Sequence, residues 1–237
     1  MFNSFVNLFS SLDKQRQRMH DAYSRQAKPN SCLMDFLATP FPAANTQLKN
    51  ASIVAVDFET TGLDPQHDHI VSMGCVEIKD MQIDLGSSYY QLLQSGSALP
   101  EETVVIHKIT DDQSAKGVAV EQGLCELLTN LKGKILLAHH ADIELGFLRK
   151  ACQDVFNGPF LVPVIDSLKL AHRKNSQQET RQKEGALRLF NLRKQYHLPE
   201  HAAHNAYSDA LSCAELFLAM ATEISPNLDT ELRYFLS

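Results

Sequence analysis

Apolar residues recur along this chain in two rhythms. Between residues 5 and 26, Phe5, Leu8, Phe9, Leu12, Met19, Ala22 and Tyr23 follow helical spacing, with Lys14, Arg16 and Arg18 between them, which predicts an amphipathic helix. The next stretch, SCLMDFLATPFPAANTQLKN, has one short apolar turn, then two prolines, and reads as a connector. From Ile53 the pattern turns strand-like: SIVAVDFE, HIVSMGCVEIK and SSYYQLL follow in quick succession, and such short connections favour antiparallel neighbours. After them come a helix around EQGLCELLTNL, a strand KILLAHH, a helix IELGFLRKACQDVF, a short strand near VPVID and helices through the remainder. That order predicts an α/β fold with a mixed sheet. The expected organisation is a helical extension and linker over residues 1–50, a main domain over 51–225 and a C-terminal tail over 226–237.

Composition narrows the class. With 237 residues, 44% hydrophobic and 21% charged, the chain can bury a sizeable core and is neither disordered nor fibrous. A net charge of -6 argues against gripping long duplex nucleic acid by charge alone, since that needs many cations facing phosphates. The five cysteines are scattered, odd in number and form no C-x-x-C pair, so neither a disulfide nor a cysteine-rich zinc site is expected, and a reducing cytoplasm is the expected location. The opening residues lack a secretory pattern, and no run approaches the roughly 20 apolar residues of a membrane span.

The chemistry concentrates in AVDFETTGLD, where the apolar run Ile53–Val56 leads straight to Asp57 and Glu59. In a strand these two acids share a face while Phe58 enters the opposite layer. Two carboxylates so placed need a positive partner, and a hard divalent cation fits; the bland alternative is an exposed strand end. Further acids stand where strands or helices end: Asp142 and Glu144 in LLAHHADIELGFL, and Asp209, with His204, in HAAHNAYSDALSCAELFLAM.

These segments resemble the DnaQ-like 3′-to-5′ exonucleases of the DEDDh type, a family related to the proofreading subunit of bacterial replicative DNA polymerase. VDFETTGLDPQHDHIVSMGCVEI is similar to its first motif, and His204 through Asp209 and Ala210 to its third; VIHKIT and VIDSLKLAHR also resemble family segments. The second motif departs. Aligned on Gly146, Phe147 and Leu148, the family's aspartate falls on Glu144 and its usual asparagine on His140; Asp142, two positions early, is the rival and would share a face with Glu144 if the segment were extended.

The resemblance implies a ribonuclease H-like fold and two Mg²⁺ or Mn²⁺ ions per active site. It implies Asp57 as the bridge between both ions, Glu59 and Asp209 completing one, Glu144 supporting the other, and His204 as general base. Thr60, Thr61, Gly62 and Leu63 would contact the terminal nucleotide, with His107 and His140 in the same pocket. The implied substrate is the 3′ end of single-stranded DNA, with RNA, short oligonucleotides or a silenced binding module as alternatives. The resemblance does not reach the first fifty residues, and this N-terminal extension is free to pack on the domain, dock a protein partner or pair two copies as a homodimer.

Other features have plainer readings. The His-x-x-His pair at 201 and 204 lacks a second ligand pair for structural zinc, and His139 is expected to satisfy backbone groups at its strand end. The basic stretch His172–Lys194 fits a nucleic-acid guide and a solvated helix face equally well, and Tyr207 is expected to pack.

Overall fold

The computed structural model describes residues 2–95, 100, 104, 105, 107, 109–177 and 185–237, with side chains from residue 12 onward except at 111 and 175–177. Its centre is a five-stranded sheet in the order β3-β2-β1-β4-β5. β1 (Ile53–Thr60) pairs antiparallel with β2 (Ile70–Lys79), which pairs antiparallel with β3 (Gln82–Leu92). On its other side β1 runs parallel to β4 (Ile135–Ala138), and β4 parallel to β5 (Val164–Asp166). This is the expected mixed sheet.

Helices cover both faces, which is why β1 reads as a nearly continuous apolar run. Ile53 and Ala55 face a layer built around α8 (Ala206–Ile224), with Leu216, Phe217 and Met220. α6 (Ser167–Gln177) and α7 (Leu189–Gln195) join that layer. Val54, Val56 and Phe58 face the other layer, made by α4 (Val120–Leu131) and α5 (Asp142–Phe156). α3 (Asp111–Ala115) connects β3 to α4. Strand parity therefore sends Phe58 away from Asp57 and Glu59, as the alternation predicts.

The N-terminal segment differs from its sequence reading in one respect. After α1 (Phe2–Tyr23), residues read as connector form a second helix, α2 (Ser31–Ala38). Asn30 caps it by accepting from the Cys32 and Leu33 amides, and Pro40 and Pro42 follow its end. Leu33, Phe36 and Leu37 are fully buried in the layer of α4 and α5, and Tyr23 joins them, donating its hydroxyl to Phe156 O at 2.8 Å. At the other end of the chain Leu232, Phe235 and Leu236 enter the α8 layer, and backbone bonds tie Leu48 N to Thr230 O and Leu232 N to Thr46 O.

The expectation of unpaired cysteines is corrected. Cys32 on α2 and Cys125 on α4 form a disulfide across 93 residues of sequence, while Cys75, Cys152 and Cys213 are free and buried. Sequence spacing carries no trace of such a pair, because only the packing of α2 on α4 brings the two positions together. Among the described residues no helix is long and apolar enough to cross a membrane.

Candidate active site

β1 delivers its two acids to the face that α8 covers. The register with β2 shifts between Glu59 and Thr60, which pairs with Ile70, and the chain then turns: Thr60 donates its hydroxyl to Gly62 O at 2.6 Å, and Thr61 bonds Asp68 and His69. Gly62 fits here because a Cβ would collide with the Asp68 carboxylate. Leu63 at the tip is 76% exposed.

α8 brings the third acid. Asn205 caps the helix by accepting from Ser208 N, and Asp209 in the first turn accepts from the amides of His204 and Asn205. The helix end sits directly on β2 because Gly74 has no side chain there; a Cβ would run into the Ala206–Tyr207 peptide. Carboxylate oxygens of Asp57, Glu59 and Asp209 consequently lie within 4.8 Å of one another.

The two acids of the second motif lie in different surroundings. The segment is already helical at 142, so positions 142 and 144 stand about 200° apart around α5 and do not share a face. Glu144 is buried, and its charge together with that of Asp209 and Glu59 acts on Asp57. Asp142 points outward and pairs with Lys169 Nζ at 2.9 Å. The start of α5 is set by Asp166, a fully buried carboxylate at the end of β5. It accepts from the amides of His140 and Ala141 on one side and of Leu168 and Lys169 on the other. His140 turns the chain there with a positive φ of 76°.

The acids are strongly coupled. Burial, aided by Glu144, Asp209 and Glu59, holds the Asp57 carboxyl well above the usual carboxylate range. Burial and Asp209 push Glu59 up to about 8, and burial, opposed by its own backbone amide and aided by Asp166 and Asp142, pushes Glu144 up to about 8. Asp209 is raised by burial as well. Glu59 Oε1 and Glu144 Oε2 are buried with no hydrogen-bond partner. Four crowded carboxylates with orphaned oxygens match what hard divalent cations require.

Two histidines stand over the acids. His107 Nδ1 touches Glu59 Oε2, and burial pushes its imidazole toward the neutral form, partly offset by the Thr60 backbone. The ring of His204, on a backbone with φ of 64°, lies 6.3 Å from that of His107. His204 lines a cavity of about 280 Å³ whose floor includes Asp57 and Asp209, and whose wall includes Arg188, Phe190, Arg193 and Lys194. His140 is exposed and faces a neighbouring cavity of about 570 Å³, away from the acid floor.

The remaining histidines near the site are structural. His139 bonds Ser167 Oγ at 2.8 Å and the Leu187 carbonyl at 2.9 Å, the backbone role expected of it. His201 bonds Glu215, which also holds buried Arg193; Arg193 in turn donates to the carbonyls of Ser212 and Pro199. Tyr207 packs and accepts from Ser88 Oγ at 2.9 Å. Asp166 and Gly74 do not emerge from the sequence reading as site residues, whereas the α7 wall lies within the basic stretch His172–Lys194; an acid at the close of a strand and immediately before a helix is the available signal for Asp166.

Residues 54–217 match the protein-family model RNase_T, described as exonuclease. The DNA polymerase III subunit epsilon of Treponema pallidum is 30% identical over 176 residues, spanning 73% of this chain and 77% of that protein. The PolC-type DNA polymerase III of Thermotoga petrophila is 32% identical over 174 residues, which is 73% of this chain but 12% of that much longer polymerase. The same fold occurs in the nuclease domain of 3′hExo, a DEDDh family member bound to rAMP, with a TM-score of 0.62 at 17% identity over 73% of this chain and 92% of that one. It also occurs in Escherichia coli exonuclease I in complex with a dA16 oligonucleotide, with a TM-score of 0.65 at 14% identity over 75% of this chain and 42% of that one.

Proposed function

The chain belongs to the RNase_T exonuclease family, and from that premise we propose that it is a hydrolase releasing nucleoside monophosphates from the 3′ end of single-stranded DNA. The observation that carries this reading is the convergence of Asp57, Glu59 and Asp209 within 4.8 Å, with Glu144 buried against them. A subunit epsilon relative and a neighbour bound to dA16 support DNA as the substrate class.

Hydrolysis of a phosphodiester needs an activated water, relief of the charge that gathers on phosphorus oxygens, and a stabilised leaving 3′ oxygen. Asp57, Glu59, Asp209 and Glu144 would hold two Mg²⁺ or Mn²⁺ ions, which supply charge stabilisation to both the attacking and departing oxygens when bound. Glu carries one methylene more than the family's aspartate, which would let Glu144 reach an ion from the first turn of α5. His204 would take the proton of the attacking water, a role supported by its place in the cavity lining and its amide bond to Asp209. The Thr60–Leu63 turn would seat the terminal nucleotide, Leu63 giving it an apolar contact and Gly62 a close backbone approach. His107 fixes the Glu59 side of the site.

RNA is the second reading, favoured by the rAMP-bound neighbour, and recognition of the sugar 2′-OH would decide it. The test is incubation of purified protein with 3′- and 5′-labelled single-stranded DNA and RNA in Mg²⁺, Mn²⁺ or chelator. Metal-dependent shortening from the 3′ end is expected. Its absence under every condition would leave a silenced binding module.

A further inference from the structure

The acid floor sets a problem that the catalytic residues do not solve. The chain carries a net charge of -6, and its site is built of four carboxylates, whereas a polynucleotide brings a phosphate with every residue. Ions held by the carboxylates offset the charge of one scissile phosphate; the strand behind it needs contacts of its own. We propose that the exposed side of α7 is a second subsite, on which Phe190 stacks a base behind the 3′-terminal nucleotide while Arg188 and Lys194 meet the adjoining phosphates. This inference rests on the nuclease reading above.

Position supports it first. Arg188, Phe190 and Lys194 line the same cavity as Asp57, His204 and Asp209, so a strand whose end lies on the acids passes along this wall. Arg188 also borders the neighbouring cavity that His140 faces, which places it on the ridge between the two. Of the three basic residues of the wall, Arg193 is committed to Glu215 and to the Ser212 and Pro199 carbonyls. Arg188 and Lys194 are exposed; Lys194 Nζ also stands 3.5 Å from Glu200 Oε1, a solvent-exposed pair that an incoming phosphate can replace, so the two carry the wall's outward positive charge.

Shape and rigidity support it next. Phe190 and Lys194 are one helical turn apart and share a face. Phe190 is 48% exposed, and Lys194 Nζ stands 4.2 Å from its ring centroid, so a cation and an accessible aromatic surface lie side by side. The far side of α7 is fixed, because Leu192 is buried and Arg193 bolts the helix to α8, which carries Asp209. A lone exposed phenylalanine is ordinary on a protein surface. This one shares a cavity with the acids, carries a cation on its ring and sits on the most basic segment of an acidic chain. Stacking on such a platform tolerates any base but requires that the base be unpaired, so the subsite selects single strands over duplex.

The test compares initial rates on single-stranded oligonucleotides of two to twelve nucleotides in Mg²⁺ for wild type, Phe190→Ala, Phe190→Trp, Arg188→Gln and Lys194→Gln. In wild type kcat/KM is expected to climb with length. Phe190→Ala should flatten that climb, lowering the ratio of octamer to dinucleotide about tenfold through KM. Phe190→Trp should restore it, and the two Gln variants should reduce the salt dependence of the octamer KM. An unchanged ratio in Phe190→Ala overturns the subsite while leaving the nuclease reading intact, as does an equal loss on dinucleotide and octamer that Trp does not rescue. If wild type shortens no substrate, the nuclease reading falls instead. Equilibrium binding of a labelled dT12 in chelator then decides the subsite by itself: weaker binding by Phe190→Ala upholds it, and equal binding overturns it.

Discussion

Replacing Glu144 with glutamine is expected to stabilise the metal-free protein, and by an amount that depends on pH. Burial holds the Glu144 carboxyl at about 8 in the folded chain against 4.5 when exposed. A carboxyl raised in this way contributes stability that is fully present below the unfolded value and is lost as pH rises through the folded one. At pH 7 the folded chain must still take up a proton that the unfolded chain has released, at a cost of roughly 3 kcal/mol, against under about 1 kcal/mol at pH 5. The side-chain amide of Glu144→Gln has no proton to take up and keeps a similar volume. The gap in stability between variant and wild type should therefore widen by roughly 2–3 kcal/mol from pH 5 to pH 7, or about 5–10 °C in Tm for a chain of this size. Thermal melts in EDTA at half-unit pH intervals measure it directly. Saturating Mn²⁺ should reverse the order, since only wild type then gains the full binding free energy. A gap that stays constant or narrows as pH rises would refute the burial argument for Glu144.

Three other outcomes follow from the same geometry. Glu144→Ala should abolish nuclease turnover, whereas Asp142→Ala, which loses only an exposed pair with Lys169, should retain it; the reverse result in the labelled-oligonucleotide assay would reassign the second acid. Gly74→Ala forces a methyl against the Ala206–Tyr207 peptide and should cost roughly 1–3 kcal/mol in urea unfolding, with a parallel loss of Mn²⁺ affinity because Asp209 moves with its helix. Reduction of Cys32–Cys125 should lower stability by about 4 kcal/mol, as expected for opening a loop of this length, and Cys32→Ser should show the same fall without reductant.

Much of the sheet and of the acid site is legible in the sequence because both obey local periodicity. The alternation through Ile53–Glu59 separates Phe58 from the two acids, and the packing of Phe58 with α4 and α5 follows from that alone. Glu144 is legible from the Gly146-Phe147-Leu148 register, yet the reason it displaces Asp142 is not: that depends on helix α5 having begun by position 142, which the amide bonds to Asp166 enforce. Asp166 itself is hidden because its partners are backbone amides, which any sequence supplies. The α2 helix is obscured by the prolines behind it, although Asn30, two residues before Cys32, is a usable cap signal. The disulfide and the docking of the C-terminal residues are relations between distant segments, and no local pattern encodes them.

The burial of α2 has a practical consequence for anyone who expresses this protein. The family match spans residues 54–217, and a fragment cut at those limits would keep every acid of the site. It would also lose Tyr23, Leu33, Phe36, Leu37, Leu232 and Phe235, each almost wholly inside the protein. The uncovered surfaces of α4, α5 and α8 would then be large apolar patches of the kind that drive aggregation. An insoluble or inactive fragment would say nothing about the chemistry, and the cloning boundary has to follow the buried contacts of α2 and of Leu232 and Phe235 instead of the limits of the family match.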